Sequence, residues 1–393
     1  MIDGKILIVG GGIGGLAAAL SLARQGFEVS VFEQAPELTD IGAGIQLGPN
    51  CNRVLFDLDL EDALRAVVFL PDGGEMRDWQ SGKVIMNTTL GDHIVHEYGY
   101  PYFHIHRADL ISLLAAAVAE TNNIELFTDA AVATIDQTSA GVTLDTVSGN
   151  HVTGAVLIGA DGIRSVVREY LFGPADPRFT GNVAWRALVP VDRLPTGLVR
   201  PMATAWWGPG GHFVHYYVSR GQLVNCVCVI EKEGWEIESW SEPGDYEELK
   251  SDFSGWHENI QLLIDHADKD SLFKWALFDR APMRQWGRGL ITLLGDACHP
   301  TLPFMAQGAA MAIEDGAVLS RCLTMDGSIE IRLRSYEHLR QARTARVQKG
   351  SRRNATVYHL RGIKALLRNI VAKRASVSAM KWLFSYNALT AHQ

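Results

Sequence analysis

The chain has little of what would assign it to several broad classes. Its 393 residues hold only five cysteines, Cys51, Cys226, Cys228, Cys298 and Cys322, which are scattered, odd in number and form no CxxC pair. That usage argues against a redox dithiol and for a reduced, cytoplasmic protein. No uninterrupted apolar run approaches the ~20 residues of a membrane span. The opening Met1-Ile2-Asp3-Gly4-Lys5 lacks the charged-then-apolar layout of a secretory signal. Positive charge is not in excess: 36 Lys and Arg against 44 Asp and Glu leave a net charge of −8, so no nucleic-acid partner is expected. There is no internal repeat. With 47% hydrophobic and 20% charged residues, disorder is disfavoured, and the length suffices for two domains and a large core.

What is present begins with a regular alternation. Residues 5–9 (KILIV) form a short apolar run suited to a buried parallel strand. A glycine cluster follows, then residues 13–26, rich in Ala and Leu, which read as a helix. Residues 28–33 (EVSVFE) supply a second strand and complete a βαβ unit within about 30 residues. Residues 107–120 carry Leu110, Leu113, Leu114 and Ala117 at helical spacing, and 155–159 is another buried strand. From 173 to 278 the chain changes character. Trp, Tyr, Val and Gly become frequent, and 203–207, 213–218 and 223–230 alternate as antiparallel strands do. Residues 290–294 return to the buried-strand style, and 307–323 are helical.

The expected architecture is therefore α/β. A Rossmann-like dinucleotide-binding domain spans 1–172 plus 279–328, an antiparallel-sheet domain is inserted at 173–278, and a basic helical tail covers 329–393. In that tail Arg332, Arg334, Arg340, Arg343, Arg346, Lys349, Arg352 and Arg353 have few acids between them. They read as a solvated helix face, or as a contact with a second copy in a homodimer, or as an attraction to an anionic surface. A change of oligomeric state on truncation after Thr324 would favour the second.

The first chemical motif is Gly10-Gly11-Gly12-Ile13-Gly14-Gly15, which satisfies GxGxxG at Gly10, Gly12 and Gly15. Gly10 permits the tight turn, Gly12 lets the backbone approach a pyrophosphate, and Gly15 allows close helix–strand packing. The helix N-terminus offers free N–H groups to phosphates. Glu33, about 20 residues on and followed by Gln34, ends the second strand where an acid accepts bonds from ribose hydroxyls. Strand, glycines, helix, strand and acid in register point to a dinucleotide, without saying which.

Two later segments narrow the choice. Residues 155–168 read AVLIGADGIRSVVR, with Asp161 after a buried strand, and 290–315 read LITLLGDACHPTLPFMAQGAAMAIED, with Asp296, Pro303, Phe304, Gly308 and Ala309. With these three segments in this order, the chain resembles the single-component FAD-dependent aromatic hydroxylases over nearly its whole length. The resemblance implies an FAD-binding domain, a strand-rich substrate domain, and a monooxygenase using NADH or NADPH and molecular oxygen. Reduced flavin would form a hydroperoxide that hydroxylates a small hydroxylated aromatic carboxylate of the salicylate or 3-hydroxybenzoate type. A hydroxypyridine carboxylate of the 6-hydroxynicotinate type is the alternative. An FAD reductase without oxygen insertion, and a flavin-binding sensor without turnover, are competing readings. A single GxGxxG and no CxxC argue against a disulfide-reductase type of flavoprotein.

The resemblance also implies roles for residues. Asp296 would meet the ribityl chain, Arg107 the phosphates, and the helix beginning at Gly308-Ala309 would aim N–H groups at the flavin. Gly42-Ala43-Gly44-Ile45-Gln46 would lie along the flavin. Asp161 would serve the fold and pyridine-nucleotide use; as a bare residue it reads equally well as a helix N-terminal acid. In His212-Phe213-Val214-His215-Tyr216-Tyr217, alternation puts His212 and Tyr216 on one face. The resemblance makes His212 the phenol base or hydrogen-bond partner, and makes Tyr216 and Tyr102 walls of the pocket. Departures from the family patterns fall at Pro303, Gln46 and Phe304, so the identity of the ring is not fixed. Phe304 beside Met305 suits an apolar wall. Cys226 and Cys228 share a strand face and read as core, and His299 reads as a loop support; no metal is expected.

Overall fold

Five short, mostly apolar segments pair in parallel to make a central sheet in the computed structural model, which describes residues 4–38, 44–232, 234, 242–373 and 380–391. They are β1 (Ile6–Val9), β2 (Val29–Phe32), β7 (Ile124–Phe127), β11 (Val156–Gly159) and β17 (Ile291–Leu293), in the order β17-β11-β1-β2-β7. All four pairings are parallel. β1, β2 and β11 are buried throughout, as a central parallel strand requires, with Ser30 the one polar residue among them. α1 (Ile13–Arg24) lies between α5 (Arg107–Ala119) and α9 (Gly308–Leu323). It crosses α9 at Gly316, where a Cβ would stand 2.8 Å from the Ala18 Cα, so small residues on both helices let the backbones meet. Around this layer lie α2 (Pro49–Asp57), α3 (Glu61–Arg65), α4 (Gly91–Tyr98) and α6 (Val166–Phe172), with a three-stranded meander of β8 (Val132–Gln137), β9 (Val142–Thr146) and β10 (His151–Gly154).

A second, seven-stranded sheet has the order β16-β12-β15-β14-β13-β4-β5. Its strands are β4 (Gly73–Asp78), β5 (Val84–Thr89), β12 (Arg178–Pro190), β13 (Met202–Gly208), β14 (Gly211–Val218), β15 (Leu223–Glu231) and β16 (Phe273–Asp279). Pairing is antiparallel except between β13 and β4, which run parallel. The antiparallel strands expected within 173–278 are thus joined by two strands from outside that segment. β4 and β5 come from the first segment of the chain and complete the edge. On one face Trp185, Phe213, Cys226 and Cys228 pack with Leu249 and Phe253 of α7 (Tyr246–Asp252) and with Ile260 and Leu263 of α8 (Glu258–Asp265). The opposite face, carrying His212, Val214 and Tyr216, turns toward the nucleotide-binding layer. The antiparallel pair β3 (Gly44–Leu47) and β6 (Phe103–His106) bridges the two sheets.

The tail is helical, with α10 (Ile329–Tyr358), α11 (Gly362–Ala372) and α12 (Lys381–Phe384). The basic residues of α10 divide: Arg346, Lys349 and Arg353 are exposed, as a solvated face requires, and the others are wholly or partly buried. Arg340 is 0% exposed, Arg343 is buried, and both bond to acids of α9. Arg352 pairs with Asp279, and Arg332 and Arg334 reach backbone carbonyls outside α10. For Arg340, Arg343 and Arg352 the reading as solvated charge is overturned, because their partner acids sit on other elements. Truncation after Thr324 would remove core residues rather than test an oligomer contact.

Candidate active site

Three adjacent strands, β17, β11 and β1, run parallel, so their carboxyl ends lie at one edge. The loops that follow them are Gly295–Ala297, Ala160–Gly162 and Gly10–Gly12. This is the edge at which open α/β sheets bind ligands. The fold thus brings together three segments that lie far apart in sequence.

The glycine loop divides its work. Gly10 has φ +107° and a Cβ there would lie 2.5 Å from the Ala160 carbonyl oxygen. A Cβ on Gly15 would lie 1.9 Å from the Gly10 carbonyl oxygen. Both positions are closed to any side chain by the fold itself. Gly12 is different: its φ is −75°, and a Cβ would meet nothing within 4 Å. Open space beside Gly12, at the N-terminus of α1, is what a phosphate-bearing ligand needs. Ile13 is buried, and Gly14 packs toward Leu294 and Ala312. The Glu33 carboxylate accepts N–H bonds from Gly11 at 2.7 Å and Ala35 at 2.9 Å, which fixes it beside the loop. Gln34 is exposed.

Asp161 caps α6, accepting the Val167 N–H at 3.1 Å. The helix-capping reading of this residue is therefore realised in the structure. Burial raises its pKa, against the lowering effect of hydrogen bonds from Ser165 and the helix backbone. Asp296 follows β17 and is exposed at the strand-end edge; desolvation by the surrounding fold pushes its pKa up, countered by His299 and Arg107. Arg107, the first residue of α5, is thus near enough to act on Asp296 electrostatically. Gly308 opens α9 and Ala309 follows it, both half-buried.

Beneath the Asp296 loop lies a buried ion network that sequence reasoning missed. Asp315 accepts bonds from the Gly295 N–H at 3.0 Å, from Arg340 at 2.6 Å and from His299 at 2.6 Å. Glu314 pairs with Arg343 and Arg340, each at 2.7 Å, and accepts from Asn50 at 2.7 Å. Burial alone would raise both carboxyl pKa values; the arginines, with His299 at Asp315, hold them below the ordinary range instead. His299 is thus a loop support.

The inner face of the seven-stranded sheet carries the aromatic residues. The Tyr102 hydroxyl donates to Gln46 Oε1 at 2.7 Å, and Gln46 also bonds Tyr216. Tyr216 packs on His104 with ring centroids 4.6 Å apart. Its cross-strand neighbour Asn225 accepts the Gly44 N–H at 2.7 Å, and Gly44 leaves room that a Cβ would take from the Tyr216 ring. Gly42 and Ala43 lie outside the described residues. Farther along the same face His212 bonds His359 at 2.8 Å and meets the Phe304 ring edge-on at 5.0 Å. Pro303 is exposed at the start of the turn that buries Phe304. Tyr102, Gln46 and Tyr216 therefore form one cluster and His212 with Phe304 another. Arg186, stacked over Trp275 at 4.2 Å, lies on the same face, a residue that sequence pattern did not single out.

A family model described as FAD binding domain matches residues 3–351. The 3-hydroxybenzoate 6-hydroxylase of Polaromonas naphthalenivorans is 39% identical, covering 98% of this chain and 96% of that protein. The chain belongs to the FAD-dependent aromatic hydroxylases. A second hydroxylase of the family, the 6-hydroxynicotinate 3-monooxygenase of Pseudomonas fluorescens, is 38% identical over 89% of this chain and 91% of its own. A salicylate hydroxylase substrate complex superposes with a TM-score of 0.81 at 25% identity, covering 98% of this chain and 96% of the other. FAD is the cofactor of this hydroxylase. The structure fits it on its own terms: there is open space beside Gly12, and Asp296 is exposed at the same strand-end edge.

Proposed function

We propose that this protein is a cytoplasmic NAD(P)H-dependent monooxygenase that hydroxylates a small hydroxylated aromatic carboxylate of the salicylate or 3-hydroxybenzoate type. The observation that carries the reading is His212, a buried imidazole set in an aromatic wall of Phe304 and Tyr358 on the sheet face that turns toward the cofactor edge. Burial and the neighbouring His359 hold its pKa well below the ordinary value, so the ring is neutral and offers a lone pair to the phenol, but does not keep a positive charge. Bound FAD, reduced by NAD(P)H, supplies the oxygen-activating chemistry. The chain's own residues do the rest. Gly12 and the first turn of α1 hold the pyrophosphate, Glu33 the ribose, Arg107 the phosphates and Asp296 the ribityl chain. Gly308 and Ala309 direct N–H groups at the ring. His212 takes the phenol proton at Nε2, since Nδ1 is committed to His359. Tyr102 and Tyr216, locked through Gln46, wall the ring, and Phe304 excludes water. Asp161 has a second role toward the nicotinamide cofactor in this reading.

A hydroxypyridine carboxylate is the second reading. Asn225 Nδ2 is buried on this face without a partner among the described residues, a donor that suits a polar ring atom. Five buried free thiols fit a reducing compartment, and no described helix is long and apolar enough to cross a membrane. A homodimer belongs to the proposal: α11 turns Ile363, Leu366, Leu367, Ile370 and Val371 outward, each more than half exposed. Sedimentation of Leu367→Lys against the wild type tests it, a monomer–dimer shift being expected. The substrate test is a screen of hydroxybenzoates and hydroxynicotinates for stimulated NADH and NADPH oxidation, with product mass. A product that has gained one oxygen, with or without loss of the carboxyl group as carbon dioxide, supports the proposal; hydrogen peroxide alone, with every compound, refutes it.

A further inference from the structure

Behind His212 a line of hydrogen-bonding groups leads away from the substrate face. His212 is 2% exposed, and its Nδ1 lies 2.8 Å from Nε2 of His359. His359 is 4% exposed, directly after α10, and its carbonyl accepts the Gly210 N–H at 3.1 Å. Its Nδ1 lies 3.3 Å from Oε1 of Glu231. The Glu231 side chain is 45% exposed, and its other oxygen accepts from Arg361 at 2.9 Å. Gly210, with φ +74°, has no side chain to collide with the Arg361 guanidinium, so the pair can close over it. Glu231, His359 and Arg361 all line a surface cleft of about 1170 Å³. A continuous path therefore joins a buried pocket wall to solvent.

We propose that His359 and Glu231 are the proton exit of the substrate pocket, carrying the proton that His212 takes from the phenol to the surface cleft. The inference rests on the reading of His212 as the phenol base. A base walled by Phe304 and Tyr358 has no solvent beside it to take its proton. An imidazolium left there is unfavourable, because burial and the adjacent His359 both oppose the charge. Two neutral imidazoles in contact solve this, since each has one N–H and one lone pair. The phenol O–H proton goes to His212 Nε2, and the O–H electron pair stays on the phenolate oxygen. The His212 Nδ1 proton moves to His359 Nε2. The His359 Nδ1 proton moves to the Glu231 carboxylate, which delivers it to water in the cleft. Each ring ends as the other neutral tautomer, and no net charge stays buried on the imidazoles. The charged groups facing His359 are Glu231, Arg361 and Arg368. Glu231 draws the proton outward, while the two arginines oppose a lasting positive charge on the ring. His359 and Glu231 are relay residues that act through His212.

The test is stopped-flow pH-jump absorbance on FAD-loaded enzyme with bound 3-hydroxybenzoate, following formation of the bound phenolate. His359→Gln keeps a hydrogen-bonding group beside His212 but cannot pass a proton. Glu231→Gln alters only a half-exposed side chain. Phenolate formation is expected to slow by roughly 100-fold in His359→Gln, the lower end of what positioned proton transfer contributes. A smaller slowing is expected in Glu231→Gln. The probe's dissociation constant should stay within about twofold in both, and free imidazole should restore the rate in His359→Gly. Wild-type phenolate kinetics in both substituted enzymes would overturn the relay alone. If the wild type itself forms no phenolate with the bound probe, the reading of His212 as base falls, and the relay with it.

Discussion

Gly12→Ala should separate cofactor binding from folding. The backbone at Gly12 has φ −75° and ψ −176°, which alanine adopts without strain, and the added methyl meets no protein atom within 4 Å. Gly12 is the N-cap of α1, where Ala is poorer than Gly, so apoprotein stability should fall by no more than about 1 kcal/mol. The methyl instead occupies the space assigned to the FAD pyrophosphate. Two charge-assisted hydrogen bonds to phosphate oxygens, at about 1.5–3 kcal/mol each, are at stake. Their loss amounts to about 3–6 kcal/mol, or roughly 10²- to 10⁴-fold in the dissociation constant of FAD. Gly15→Ala is the control: its methyl would sit 1.9 Å from the Gly10 carbonyl oxygen, so the loop or α1 must move. Overpacking of that kind costs about 1–3 kcal/mol in the apoprotein itself. Denaturant midpoints of both apoproteins, with FAD titrations followed by flavin fluorescence, read the two effects apart. A Gly12→Ala protein that binds FAD as tightly as wild type would show that the pyrophosphate does not pass this residue.

Three further outcomes are expected. His212→Ala should slow hydroxylation by about 10²-fold or more while FAD still binds, since it removes the proton acceptor but touches no glycine-loop residue; an unchanged rate constant for hydroxylation removes His212 from the chemistry. Arg340→Met should destabilise the protein by roughly 3–5 kcal/mol, because Glu314 and Asp315 would lose a buried guanidinium at 2.7 and 2.6 Å; a denaturation midpoint near wild type would contradict the network. Stability should fall as pH drops from about 6.5 toward 4. Burial lowers the folded pKa of His104 to about 3 and of His215 to about 4, from an ordinary 6.5. In that window the unfolded chain binds protons that the native protein refuses, so stability is present above 6.5 and drains below it. Denaturant midpoints at pH 7, 5.5 and 4.5 should decline, with a shallower decline in His104→Gln.

The cofactor edge was legible because its signals are local. A strand end, the glycines after it and the helix they open lie within one stretch of chain, and each glycine's reason is a contact between near neighbours, as between Gly15 and Gly10. The strands at 203–207, 213–218 and 223–230 were legible for the same reason, by their alternation. β4 and β5 were not. Their sequences, GGEMRD and VIMNTT, have weak alternation, and β4 is held by parallel pairing to β13 some 130 residues away. The pocket followed the same rule. His212 and Tyr216 were assigned to one face from alternation alone. Gln46 as the bridge between Tyr102 and Tyr216, and His359 behind His212, depend on long-range contacts that no spacing encodes.

The basic tail shows the physical limit of reading charge along a chain. In α10 the arginines far outnumber the acids, and an isolated helix of that kind belongs in water. Its acids are supplied from elsewhere: Glu314 and Asp315 from α9, Asp279 from β16. The arrangement has a consequence for the site. Asp315 holds both the Gly295 backbone and His299, so the loop that presents Asp296 is tied to Arg340 through one carboxylate. Glu314 ties α9 to Asn50 of α2 and to Arg343. Ion pairs buried this deeply are no better for stability than apolar packing of the same volume. What they provide is position. The charged groups must meet in one arrangement or remain uncompensated, and that arrangement fixes the middle of α9 and the Asp296 loop against each other. An Arg340→Met protein that survives folding should therefore bind FAD more weakly than its loss of stability alone predicts, although Arg340 lies within the core rather than at the cleft.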